Sequence, residues 1–139
     1  MMAMSLETPR ILVVDDEPEI LDTLKEFLDV RGYRVTTAGS GAEALSAVQA
    51  ERPHLVLLDI VMPGLNGLVT LRRILETDPT VGIMMLTSVD DHEVVREAIG
   101  RGAYDYITKP INFDYLELSI LTRLAQTDLS LRGRQRQPM

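Results

Sequence analysis

Residues 55–59 read LVLLD, four aliphatic side chains in a row followed by an acid. The run does not alternate between apolar and polar residues, so it predicts a strand buried on both faces, as strands of parallel sheets are. Residues 11–15, ILVVD, repeat the pattern. Two buried strands that each end in a carboxylate indicate both the fold class and the place to look for chemistry.

Similar short aliphatic runs recur along the chain, at residues 11–14, 34–38, 55–58, 81–86 and 104–107. The segments between them carry helical signals. Ile20, Leu24 and Leu28 have helical spacing, and Ser40 with Glu43 forms a predicted capping box. Five alternating strand and helix units predict an α/β fold, a five-stranded parallel sheet with five flanking helices in a doubly wound arrangement.

Composition places limits on function. The chain has 139 residues with a formal net charge of −7 and no cysteine. The acidic balance argues against direct nucleic acid binding by this domain, and the missing thiols exclude zinc–thiolate, iron–sulfur and cysteine-nucleophile chemistry. No signal peptide and no membrane span is visible, so we expect a cytoplasmic protein with no membrane partner.

One domain accounts for most of the chain. We expect it over residues 10–125, preceded by an N-terminal extension, 1–9, and followed by a C-terminal tail or linker, 126–139. Apolar periodicity fades after Leu124, which predicts a frayed end, although Leu129 and Leu131 leave a continued helix open.

Charged and polar residues follow four of the five predicted strands, and ligands of open α/β sheets bind at that edge. They are Asp15, Asp16 and Glu17, then Asp59, then Thr87 and Ser88, and finally Lys109. Carboxylates gathered at one edge repel each other, and Mg²⁺ with its preference for oxygen ligands relieves the repulsion. The alternative for the first three acids is that they belong to a loop and stabilise the N-terminus of the following helix through its dipole.

Helix capping does not explain Asp59, which stands at the end of a central strand. A carboxylate can act as a nucleophile toward phosphorus, so Asp59 is the candidate nucleophile. Thr87 and Lys109 are suitable hydrogen-bond donors to phosphoryl oxygens, so these three residues would carry the chemistry. The alternatives are ordinary ones, because a threonine at a strand end is often a cap and a lysine is usually solvated.

Four segments in this order resemble the receiver domains of two-component response regulators, of which the chemotaxis receiver is the simplest member. They are ILVVDDEP at 11–18, LLDIVMPGLNG at 57–67, MLTS at 85–88 and GAYDYITKP at 102–110. The resemblance covers about residues 10–125 and implies strand order 2-1-3-4-5. It also implies a cis bond between Lys109 and Pro110.

The resemblance further implies roles for individual residues. Asp59 would accept a phosphoryl group from a sensor histidine kinase or a phosphotransfer protein. Mg²⁺ would be held by Asp15, Asp16, Asp59 and the main-chain carbonyl of Val61. Thr87 and Tyr106 would form the switch, and Thr87 and Lys109 would contact the phosphoryl group.

The family likeness also implies where the signal goes. Phosphorylation would alter the face formed by the fourth helix, fifth strand and fifth helix, which would regulate an output domain or a protein partner or form a homodimer. The protein would modify only itself, so it is not expected to be an enzyme acting on an external substrate.

Several alternatives remain at this point. Residues 39–44, GSGAEA, match a dinucleotide-binding fingerprint, although the capping box explains them too. A flavodoxin would need a neutral phosphate loop where Asp15 and Asp16 stand, and a haloacid-type phosphatase would need a second Asp two residues after its nucleophile. The serious rival is a phosphorylation-independent interaction module on the same fold.

Overall fold

A computed structural model of the chain describes residues 7–64, 66–88 and 92–136, with side chains described as far as residue 127. The strands are β1 (Arg10–Val14), β2 (Arg34–Ala38), β3 (Leu55–Asp59), β4 (Gly82–Thr87) and β5 (Asp105–Thr108). The helices are α1 (Pro18–Val30), α2 (Gly41–Glu51), α3 (Gly67–Thr77), α4 (His92–Gly100) and α5 (Phe113–Arg136).

All strand pairs are parallel, and the sheet has the order β2-β1-β3-β4-β5. This confirms the predicted fold class and strand order. β3 and β4 are buried along their whole length, as expected for unalternating apolar strands covered by helices on both faces. Predicted strand limits are shifted by a residue or so, because Asp59 and Thr87 lie inside their strands rather than after them.

Two hydrophobic clusters lie on opposite faces of the sheet. Residues of α2, α3 and α4, such as Val48, Leu71 and Ala98, pack on one face. Residues of α1 and α5, such as Leu24 and Ile120, pack on the other. The sheet is therefore covered on both sides, which leaves the ends of the strands as the open places for ligands.

The predicted capping box of α2 is present. The Glu43 N–H donates to Ser40 Oγ at 3.1 Å, and Glu43 Oε1 accepts from the Gly39 N–H at 2.8 Å. The glycine- and serine-containing segment at 39–44 is thus engaged in beginning a helix, which is the structural explanation of its resemblance to a dinucleotide fingerprint.

The C-terminal end differs from the frayed end that the sequence predicts, because α5 continues to Arg136. Ala, Leu, Gln and Arg in this segment are strong helix formers, and the single Gly133 costs only about 1 kcal/mol. Local propensity therefore extends the helix without the apolar periodicity that marks packed helices. Among the helices of the described ranges, none has the length and apolarity needed to cross a membrane.

Candidate functional site

The two central strands bring Asp15 and Asp59 together. Val14 of β1 is paired with Leu58 of β3, so the acids that follow these residues stand side by side at the carboxyl edge of the sheet. Both are buried. The long apolar runs before them position these carboxylates in the interior, which is an unusual place for two acids.

Backbone N–H groups of the following loops hold both carboxylates. The Glu17 N–H donates to Asp15 Oδ1 at 2.9 Å, and the Val61 N–H donates to Asp59 Oδ1 at 3.1 Å. In each case the donor lies two residues after the acid, which is the Asx-turn arrangement. One oxygen of each carboxylate is thereby oriented, and the other is left for a different partner.

Lys109 supplies that partner. Its Nζ lies 2.6 Å from Asp15 Oδ2, 3.4 Å from Asp59 Oδ2 and 3.3 Å from Glu17 Oε1. The Lys109 backbone N–H donates to the Thr87 carbonyl at 2.8 Å, and the Lys109–Pro110 bond is cis, as predicted. One ammonium group is therefore shared among three carboxylates, so the site keeps an excess of negative charge.

The electrostatics follow from burial and crowding. Burial and the neighbouring Asp15 charge raise the pKa of Asp59 to about 6, against the opposing effect of Lys109. Burial alone would lower the pKa of Lys109, but Asp15, Asp59 and Glu17 outweigh it and raise that pKa. The short contact between Lys109 Nζ and Asp15 Oδ2 is therefore an ion pair inside a partly buried site.

Three acids at this edge form a cluster suited to a cation. Asp15, Asp16 and Asp59 each present a carboxylate oxygen, and these oxygens all lie within 4.8 Å of one another. Asp16 is exposed while the other two are buried, so the cluster opens to solvent on one side. Hard oxygen donors with one open side fit Mg²⁺, which retains several waters when it binds to proteins.

The remaining predicted site residues lie on the same edge or near it. Thr87 is the last residue of β4 and is buried. Tyr106 belongs to β5 with 40% of its surface exposed, so its ring faces solvent rather than the acids. Val61 is 57% exposed beside the acids. Val89, an apolar residue two positions after Thr87, lies outside the described residues.

Sequence reasoning missed the importance of Gly67. A Cβ added there would lie 2.4 Å from the Asp59 carbonyl oxygen and 2.6 Å from Ile60 Cα. The Gly67 N–H donates to the Ile60 carbonyl at 2.9 Å, so α3 begins against the backbone that carries Asp59. The sequence marks a glycine-containing loop here, but a close backbone approach has no signature in a single sequence.

Comparisons with known proteins agree with this geometry. The family model described as the response regulator receiver domain matches residues 11–121. The chain is 40% identical over 119 residues to the DNA-binding response regulator MtrA of Mycolicibacterium smegmatis, covering 86% of this chain and 52% of that protein. It is 39% identical over 127 residues to the transcriptional regulatory protein ZraR of Klebsiella oxytoca, covering 91% and 29%.

A similar solved structure is the CheY-like response regulator receiver domain protein of Methanospirillum hungatei. It is 31% identical with a TM-score of 0.86, and the match covers 89% of this chain and 99% of that one. By contrast, the chain spans about half or less of the length of the regulators MtrA and ZraR. The similarity therefore covers a receiver domain and no more of these longer proteins.

Proposed function

The chain belongs to the response regulator receiver family of two-component systems, and on this premise we propose that it accepts a phosphoryl group on Asp59. The donor is a sensor histidine kinase or a phosphotransfer protein. The observation that carries the proposal is the buried Asp59 carboxylate, held beside Asp15 and 3.4 Å from the Lys109 ammonium.

The proposed reaction is phosphoryl transfer between side chains. Asp59 Oδ2, the oxygen that lies near Lys109, attacks phosphorus, a P–O bond forms and the P–N bond of the donor phosphohistidine breaks. The imidazole keeps the electron pair and takes a proton from solvent, and an acyl phosphate remains on Asp59. The hydrogen bond from the Val61 N–H leaves Asp59 Oδ2 as the attacking oxygen.

Mg²⁺ is the proposed cofactor. Asp15, Asp16 and Asp59 would hold it, together with the main-chain carbonyl of Val61 that the family resemblance implies. When bound, the ion offsets the negative charge of the carboxylates and of the phosphoryl oxygens. The support is the oxygen donor set itself, three carboxylates within 4.8 Å of one another.

Lys109 and Thr87 complete the proposed site. Lys109 offsets part of the carboxylate charge before transfer, and it then donates to a phosphoryl oxygen in place of one carboxylate. Thr87 is buried at the end of β4, from which its hydroxyl reaches the same group after a local shift. That shift, coupled to an inward turn of Tyr106, is the proposed switch.

The switch would alter the face formed by α4, β5 and α5. We propose that this face contacts an output domain or a protein partner, or a second copy of the chain. The relatives named above include DNA-binding regulators, but the net charge of −7 favours a regulatory role for this domain rather than direct contact with nucleic acid. Self-modification is then its only chemistry, and the cytoplasm its proposed location.

The test is intact mass after incubation with acetyl phosphate and Mg²⁺. We expect one added phosphoryl group, lost in Asp59→Asn and in the presence of a chelator. Asp22→Asn, which neutralises an exposed acid on α1, is the matched control and should still be modified. No addition to the wild-type protein, in a folded state and with candidate kinases also tried, would instead favour the phosphorylation-independent interaction module.

A further inference from the structure

The strand that carries Tyr106 lies at the edge of the sheet. β5 has four residues and, within the part of the chain that the structure describes, pairs with β4 alone, so one of its sides has no neighbouring strand there. Short edge strands are held weakly by backbone pairing alone. Side chains that fasten β5 to the rest of the molecule therefore influence how easily Tyr106 changes position.

Asp105 provides such a fastening. Its Oδ1 accepts the backbone N–H of Tyr106 at 2.8 Å. Its Oδ2 accepts the hydroxyls of Tyr115 and Ser119, each at 2.7 Å. Tyr115 and Ser119 are four residues apart on α5 and so lie on one side of that helix. One carboxylate thus joins the backbone of Tyr106 to a turn of α5, an arrangement we call the Asp105 latch.

Neighbouring groups reinforce the latch. Ser119 is buried, and the Tyr104 hydroxyl donates to the Ser119 carbonyl at 3.4 Å. The hydrogen bond to Asp105 and partial burial raise the pKa of Tyr115 to about 12, with a further contribution from the phenol of Tyr106. Tyr106 and Tyr115 are both exposed, so neither phenol is enclosed by the core.

An interaction that only attached β5 to α5 would not need to include the backbone of Tyr106. Here the carboxylate binds the N–H of Tyr106 itself, and the orientation of that peptide sets the direction in which the side chain leaves the strand. The same carboxylate binds the hydroxyls of Tyr115 and Ser119 and so ties this peptide to α5. The latch therefore favours the exposed position of Tyr106 over an inward one.

We propose that Asp105 is a positioning residue that holds Tyr106 in its exposed orientation through the hydroxyls of Tyr115 and Ser119. As a statement about regulation, this inference rests on the proposed function, in which Tyr106 is part of the switch. If phosphorylation needs the inward state, the latch lowers the apparent affinity for the phosphoryl group by reducing the fraction of competent molecules.

The experiment uses the four tyrosines of the chain, each labelled with ¹³C at the ring carbon that bears the hydroxyl. The four signals are assigned with single Tyr→Phe variants. In unphosphorylated Tyr115→Phe and Asp105→Ala we expect the Tyr106 signal to move toward its position in protein saturated with beryllofluoride and Mg²⁺. Beryllofluoride, a phosphoryl mimic, should bind the variants about fivefold more tightly, as expected for the loss of one hydrogen bond.

Tyr33→Phe is the matched control, because it removes a phenol that lies away from β5 and forms no hydrogen bond among the described side chains. It should leave the Tyr106 signal and the beryllofluoride affinity as in wild type. Adding Tyr115→Phe to Asp105→Ala should change neither the Tyr106 signal nor the beryllofluoride affinity further, because both substitutions remove the same latch.

An unmoved Tyr106 signal in unliganded Tyr115→Phe overturns the proposal, whether or not beryllofluoride binds. The phosphoacceptor hypothesis fails in a different way, with no beryllofluoride binding to the wild-type protein. The Tyr106 shift in unliganded variants would then still support the latch as a structural coupling.

Discussion

Val61 lies two residues after Asp59 and is exposed to water, with 57% of its surface accessible. An isopropyl group cannot hydrogen-bond a water molecule and so cannot position one for attack on an acyl phosphate. Val89, two residues after Thr87, is apolar as well. We expect a slowly hydrolysed phospho-form, and Val61→Asn combined with Val89→Asn should shorten its lifetime about tenfold, which is about 1.4 kcal/mol of barrier.

The measurement is the decay of phosphorylated protein after removal of acetyl phosphate. Val30→Asn, at a valine 78% exposed on α1, controls for the same chemical change away from the site. A short lifetime in wild type that the two asparagines leave unchanged would contradict the role given to these valines.

His54 is a half-buried titratable residue at the opposite edge of the sheet. Its Nδ1 accepts the Arg10 N–H at 3.0 Å, which requires the neutral ring. Burial and then the Arg10 charge lower the pKa of His54, against a smaller effect of Glu7. The unfolded chain therefore takes up a proton at higher pH than the folded one does, so stability is present above about pH 6.5 and is lost below it.

His54→Asn should weaken that pH dependence, because an amide oxygen accepts the same hydrogen bond without titrating. Urea denaturation at pH 7.5 and 5.5 should show a loss in wild type that exceeds the loss in the variant by on the order of 1 kcal/mol. Equal losses in the two proteins would remove His54 as the cause.

At the scale of elements, the junction between β3 and α3 determines where Asp59 points. Gly67→Ala would place a methyl group 2.4 Å from the Asp59 carbonyl oxygen, and backbone atoms cannot move aside cheaply. We expect a loss of roughly 1–3 kcal/mol in urea denaturation, together with slower modification by acetyl phosphate. Gly100 lies in α4, and a Cβ added there would meet no heavy atom within 4 Å. Gly100→Ala should therefore be stabilising by roughly 0.5–1 kcal/mol. Similar effects of both changes would show that the close approach of Gly67 to the Asp59 backbone does not cause the loss of stability.

The elements themselves differ in how far the sequence determines them. β3 and β4 were predictable, because strands buried on both faces need uninterrupted apolar runs. The end of α5 was not predictable, since a helix that rests on residue propensity leaves no apolar period in the sequence. Strand order came from family resemblance, because which parallel strands are neighbours depends on contacts between residues distant in sequence.

The candidate site shows the same division. Asp15, Asp59 and Lys109 could be placed at one edge, since parallel strands all end there. The sharing of one ammonium among three carboxylates depends on side-chain distances that only the folded chain defines. The Asp105 latch escaped prediction for the same reason, because its hydroxyl donors come from α5.

For the molecule as a whole, the acid cluster opposes folding in the absence of a cation. Asp59 is buried beside Asp15 with only a share of Lys109 to compensate it, and unbalanced buried charge is costly. Asp59→Asn should therefore raise the stability of the metal-free protein by roughly 1–3 kcal/mol in urea denaturation with a chelator present. Mg²⁺ should stabilise the wild type by about 1.4 kcal/mol for each tenfold excess over its dissociation constant, and Asp59→Asn much less. Asp22→Asn should match the wild type in both conditions. If Asp59→Asn is instead less stable than the wild type without metal, Lys109 already balances the charge of the acid cluster.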